Sequence, residues 1–216
     1  MIALSGIDCS GKSTQAEMMC EELRSKGIRA KIVHSRVGYT PLLEFFKKVV
    51  RRDKGFSEEE KELYRKKIHS SGKKRKLLLW LSISDIALYY GVHFRLTELF
   101  GRIIIADRYF ADSLIDLRLK FPEYGFEDWK VWRICEKIYL KPKISILYVI
   151  PPELSMYRST LKEEPFPEPL EKRRIRIEKY LEMANCGVWQ NIIDASEDKD
   201  EVFRRSMEYV NGRKLK

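Results

Sequence analysis

This sequence offers little for metal-cluster or disulfide chemistry. Four cysteines and three histidines are all it has in 216 residues. Cys9, Cys20, Cys135 and Cys186 are scattered without C-x-x-C spacing, which disfavours zinc and a disulfide framework alike. His34, His69 and His93 are equally dispersed, which disfavours a metal site. No run reaches the roughly 18–20 apolar residues of a membrane span. The longest apolar stretch, 73–100, is polar at both ends and reads as a central helix against a sheet, broken near Gly91. There is no internal repeat and no low-complexity tract. No room for a secretory leader precedes the first motif, so a cytoplasmic protein without membrane association is expected.

Basic charge is plentiful: the net charge is +10, which suits anionic partners. Lys47-Lys48 with Arg51-Arg52, Lys73-Lys74-Arg75-Lys76, and Lys172-Arg173-Arg174 with Arg176 form clusters. No nucleic-acid-binding motif accompanies them, so they read as solvated helix faces and nucleic acid is disfavoured as a partner.

Gly6-Ile7-Asp8-Cys9-Ser10-Gly11-Lys12-Ser13 fits G-x-x-x-x-G-K-[ST]. It follows an apolar run and precedes a helical pattern, the context in which a glycine-rich turn delivers phosphate to a helix N-terminus. Lys12 is expected to reach the β- and γ-phosphates of a nucleoside triphosphate, and Ser13 to ligate Mg²⁺. Gly6, Asp8, Cys9, Ser10, Gly11 and Thr14 complete the nucleotide-binding loop.

Short β-branched runs at 1–4, 29–34, 102–106, 144–150 and 189–193 alternate with helical patterns at 12–26, 41–52, 57–69, 73–100, 113–120, 127–140, 152–161, 170–183 and 199–211. That alternation predicts βαβ units and a single α/β domain over 1–216: a three-layer α/β/α P-loop fold with a five-stranded parallel sheet. Residues 162–169 hold three prolines in eight and read as a loop. The strand at 102–106 leads into Asp107, which suits a Walker B carboxylate for Mg²⁺, and Arg108 sets an anion-binding guanidinium beside it.

With these residues in view, the chain resembles the thymidylate kinase family of P-loop nucleoside monophosphate kinases. The likeness rests on GIDCSGKSTQ at 6–15, RVGYTPL at 36–42, Asp107-Arg108-Tyr109, and Ile193-Asp194-Ala195-Ser196 followed by Glu201-Val202. It implies transfer of the ATP γ-phosphate to dTMP, giving dTDP and ADP, with Mg²⁺. It also implies small nucleotides as partners, and a homodimer. Asp8 then contacts the acceptor sugar, Arg36 and Arg108 clamp the acceptor phosphate with Tyr109 nearby, and Ala195 and Ser196 border the adenine. The proline-rich loop falls where the family has its mobile lid, at about 158–174. Cys9 stands where other members carry a loop arginine, which directs the catalytic cation to the lid: Arg158, Arg173 or Arg174.

The acceptor half departs from the family pattern. Ser5 replaces a frequent glutamate. The base-reading F-x-x-x-R falls at 80–84 or 81–85, where Trp80 is available to stack but no arginine is present. Leu117-Arg118 stands in place of a Tyr-Gln pair, and Asp85 and Asp112 add carboxylates. Another nucleoside monophosphate or phosphorylated acceptor is therefore an alternative. A deoxynucleoside kinase would need a general base and is disfavoured by two phosphate arginines. A guanine-specific switch would need N-K-x-D, which is absent.

Overall fold

The computed structural model describes residues 1–35, 72–163 and 167–212, which form two compact units. The helices expected at 41–52 and 57–69, Arg36, and residues 164–166 of the proline-rich loop lie outside the described residues.

The first unit holds the sheet, with strands β1 (Ile2–Ser5), β2 (Ala30–His34), β3 (Ile103–Asp107), β4 (Ile144–Val149) and β5 (Asn191–Asp194). All pairings are parallel, in the order β2-β3-β1-β4-β5. Every residue of β1 is buried and β4 is buried over five of six positions, as strands covered on both faces must be. Around them run α1 (Lys12–Ser25), α3 (Phe94–Leu99), α6 (Pro152–Leu161), α7 (Leu170–Asn185) and α8 (Lys199–Asn211). The order reverses at β1, so the strand ends of β1 and β3 open a crevice at their C-terminal edge. The register places Leu4 opposite Asp107, and His34 opposite the same aspartate from the other side.

In the second unit, α2 (Gly72–Leu88) packs on α5 (Lys130–Ile138). Between α2 and α3 the chain makes one wide π-helical turn, Tyr89–His93. The break expected at Gly91 is this turn, and a Cβ on Gly91 would lie 3.0 Å from Ile138, a close approach that favours glycine there. The helical run Gly72–Leu99 is, by length and composition, apolar enough to cross a membrane, contrary to the expectation that no such run exists. Half of its most apolar window is buried within the protein, as in a core helix. α4 (Phe110–Lys120) begins three residues earlier than its sequence pattern suggests. The Asp112 carboxylate accepts from the Tyr109 N–H at 2.9 Å and caps the helix start.

The turn from β1 into α1 has little room. At Gly6, φ is +145°, and a Cβ would meet the Tyr148 carbonyl oxygen at 2.5 Å and Ser10 Oγ at 2.7 Å. Gly6→Ala is therefore expected to lower stability by about 2 kcal/mol. A fall of about 6 °C in thermal midpoint would register it. An unchanged midpoint would show that the turn has slack.

Candidate active site

Three loop features make the β1–α1 turn an anion cradle. Gly6, Cys9 and Gly11 have positive φ values of 145°, 58° and 89°, and backbone turns with positive φ are the kind from which N–H nests for anions are built. Helix α1 starts at Gly11 with no side-chain cap and no acidic residue in its first turn. Its dipole end is thus left to a ligand. Ser10 is fully buried, and Lys12 is only 5 % exposed.

The Lys12 ammonium donates to the Ile7 carbonyl at 2.5 Å and to Ser10 Oγ at 3.2 Å, which holds it over the loop. Burial and then the Arg108 charge push its pKa down to about 8, against the raising influence of Asp107, Asp112 and Asp8. The sign of the consequence follows. Below pH 8 the ammonium is charged and attracts phosphate; affinity for a nucleoside triphosphate is expected to weaken as pH rises through 8. Between 8 and the unfolded value near 10.5, the unfolded chain binds more protons, so this group raises stability with pH. Titrating nucleotide binding from pH 7 to 9.5 checks the first statement. A flat profile would contradict it.

Ser13 and Asp107 meet across the loop. The Ser13 hydroxyl donates to Asp107 Oδ2 at 2.7 Å, and His34 Nδ1 lies 3.0 Å from the same oxygen. Two oxygen donors at this point fit Mg²⁺, which takes one or two protein ligands and completes its shell with phosphate and water. Among the described residues no group of three or more His, Cys, Asp or Glu side chains is placed to hold a metal ion.

Arg108, next along the chain, adopts φ +70°, an unusual backbone state for a side chain of this size. It is 8 % exposed, and its Nη2 bonds the Asp8 carboxylate. The guanidinium that follows Asp107 in the chain thus pairs with a carboxylate of the loop that leads to Ser13. Tyr109 is buried at the start of α4.

The arginines suggested for the lid are placed differently from one another. Arg158 Nη1 donates to the Ala195 carbonyl at 3.1 Å, against the segment where Asp194 Oδ1 accepts from the Ser196 N–H at 2.9 Å. Arg174 is exposed and bonds Glu153 at 2.9 Å. Arg173 is fully buried: it bonds Ser155 Oγ, Ser159 Oγ at 3.0 Å and the Glu168 carbonyl at 2.7 Å. Ser155 in turn donates to the Asp8 carbonyl at 2.7 Å, so Arg173 reaches the phosphate loop through one hydroxyl. Trp80 and Arg118 belong to the second unit. Trp80 is exposed in a groove with Lys73, Lys76, Leu77, Trp129, Lys130 and Val131. Arg118 makes a bidentate pair with Glu127 at 2.8 and 2.7 Å.

Sequence reasoning missed His34, Ser155, Tyr180 and the Arg176–Glu168 pair, whose two bonds of 3.1 Å brace the start of α7. It noted Asp112 only as a nearby carboxylate. The His34 contact was accessible in principle, since a residue ending the strand beside a Walker B strand must lie next to its carboxylate.

Comparison with known proteins agrees with this geometry. A family model described as thymidylate kinase matches residues 4–205. A probable thymidylate kinase of Thermococcus kodakarensis is 29 % identical over 94 % of this chain and 93 % of its own length. One from Archaeoglobus fulgidus is 27 % identical, over 94 % and 90 %. A probable thymidylate kinase 1 of Saccharolobus solfataricus is 25 % identical, over 97 % and 96 %. With a match that runs through the phosphate loop, the Asp107-Arg108-Tyr109 turn and the segment at Ala195, the chain belongs to the thymidylate kinase family.

Proposed function

We propose that the protein transfers the γ-phosphate of ATP to dTMP, giving dTDP and ADP. The observation that carries the reading is the part-buried Arg108–Asp8 pair, whose partners respectively neighbour Asp107 in the chain and share the loop of Ser13. A triphosphate-binding loop alone serves many reactions; a guanidinium held across from it, paired with a carboxylate, suits an acceptor with both a phosphate and a sugar hydroxyl.

No protein nucleophile is required. An acceptor phosphate oxygen, already ionised, forms the new bond to the γ-phosphorus while the bond to the bridging oxygen of the leaving ADP breaks. Lys12 neutralises charge on the donor phosphates, Arg108 and Arg36 orient the acceptor phosphate, and Asp8 accepts from the acceptor sugar. Trp80, Tyr109 and Arg118 are proposed to flank the acceptor. Ser13 and Asp107 would hold Mg²⁺, which would supply neutralisation of charge on the phosphate oxygens. Arg158 and Arg174 are the lid cations proposed to serve the transferred group. Arg173, bonded through Ser155 to the Asp8 carbonyl, is proposed to support Asp8 from behind. We also propose a cytoplasmic homodimer, which sedimentation at working concentration would test.

A second acceptor is favoured by one feature. Positions 80–85, Trp-Leu-Ser-Ile-Ser-Asp, present no arginine to read a thymine. A site built around specific hydrogen bonds discriminates strongly when its partners change. Release of ADP should therefore be followed with dTMP, dUMP, dCMP, dGMP and UMP in parallel. The largest stimulation is expected with dTMP; a larger one with another monophosphate would reassign the acceptor. No stimulation above background hydrolysis would overturn the kinase reading.

A further inference from the structure

Beneath the phosphate loop lies a carboxylate that the reaction scheme above does not use. Asp112 is 1 % exposed, and its hydrogen-bond donors come from three separate parts of the first unit. Oδ2 accepts from Ser5 Oγ at 2.7 Å and from the Tyr109 N–H at 2.9 Å. Oδ1 accepts from the Tyr180 hydroxyl at 2.5 Å and, more weakly, from the Gly6 N–H at 3.4 Å. Tyr180 OH also lies 3.2 Å from the Gly6 carbonyl, so both faces of the Gly6 peptide region are engaged by this cluster.

A buried charge is costly unless its oxygens are filled with donors, and here four donors surround one carboxylate. The arrangement also has a direction. Ser5 is the last residue of β1 and Gly6 the first of the loop, so two of the four donors belong to the hinge from which the cradle springs. A third, Tyr109, follows Arg108, whose left-handed backbone must be held from both sides. Asp112 therefore ties the donor-phosphate loop and the Arg108 turn to one anchor, and Tyr180 pins that anchor to α7.

We infer that Asp112 is a positioning residue for the phosphate loop, acting through Ser5 and Gly6, with Tyr180 as its brace. It touches no substrate. Its effect is on the aim of the loop N–H groups, so it governs affinity for the triphosphate more than for the acceptor. The inference rests on the reading of the loop as an ATP site, and the experiment separates the two.

Direct binding of a non-hydrolysable ATP analogue with Mg²⁺ is measured by calorimetry on four proteins: the parent, Asp112→Asn, Tyr180→Phe, and the exchange Ser5→Asp with Asp112→Ser. The exchange moves the carboxylate across the 2.7 Å hydrogen bond while keeping one acid and one hydroxyl. Asp112→Asn is expected to weaken binding about tenfold and Tyr180→Phe about threefold, as for loss of a charged or a single buried hydrogen bond. The exchange is expected to recover to within about threefold of the parent. The acceptor KM is expected to change less than the analogue affinity in every variant, whereas general loosening of the fold would shift both alike. Parent-like affinity in both Asp112→Asn and Tyr180→Phe would overturn the inference. If Asp112→Asn does not fold, Tyr180→Phe and the exchange decide: parent-like affinity in Tyr180→Phe overturns it. Absence of binding by the parent itself would instead overturn the ATP reading.

Discussion

Lys12→Met is expected to reduce turnover by at least about 10³-fold while leaving the protein as stable as the parent or more so. The two halves of this expectation have one cause. The Lys12 ammonium is buried among loop carbonyl and hydroxyl groups, and desolvation is the largest influence lowering its pKa toward 8. Holding that charge dry is unfavourable for folding, and a methionine of similar length removes the penalty without leaving a large cavity. The same dry setting makes the charge effective once phosphate arrives, because a fixed cation in a low-dielectric cradle needs no reorganisation during transfer. Removing one such preorganised group costs about 10²–10³ in rate, and Lys12 serves donor binding as well. Thermal unfolding and steady-state kinetics on the same preparation test both halves. A destabilised but half-active variant would show that Lys12 is a structural side chain with no part in transfer.

The second large effect is expected at Arg108. Arg108→Ala should lower kcat/KM for the acceptor about 10²–10³-fold, roughly 3–4 kcal/mol of transition-state stabilisation, with ATP-analogue affinity within about twofold of the parent. Arg108→Lys should recover little, since an ammonium cannot reproduce a planar two-pronged donor. The variant also carries an internal check. Arg108 is among the charges lowering the Lys12 pKa, so its removal should move the alkaline limb of nucleotide binding above pH 8. Collapse of ATP binding instead would place Arg108 on the donor and overturn its assignment to the acceptor phosphate.

Much of this site was legible because it is local. The phosphate loop occupies eight consecutive residues between a strand and a helix, and each strand end announces itself by a hydrophobic run that stops at a polar residue. Asp107 and Arg108 needed only that logic. What was hidden is long-range or disguised. The Ser5–Asp112 bond spans 107 positions and the Tyr180–Asp112 bond 68, and no spacing rule links them. Arg173 is hidden differently. The buried stripe of α7 is Arg173, Arg176, Tyr180 and Met183, a regular helical face. Built partly of arginine, it carries little of the apolar signal by which such faces are recognised. The run Lys172-Arg173-Arg174 therefore reads as solvated, although its middle member is among the most buried side chains of the protein. Fold boundaries slipped where packing overrides local preference: β5 begins at Asn191 and not at Trp189, whose ring stands 5.7 Å from that of Tyr180.

The position of β1 at the centre of the sheet has a bearing on biosynthesis. Its two neighbours are β3 and β4, which begin at Ile103 and Ile144. At about 5–20 residues per second of synthesis, the strand that carries the nucleotide loop leaves the ribosome on the order of 5–20 s before its first partner exists. During that interval Ile2, Ala3 and Leu4 have no ladder to join, and the loop has no floor. Until both partners are made, the apolar strand stays open to off-pathway association, and closing parallel pairs across so long a loop is intrinsically slow.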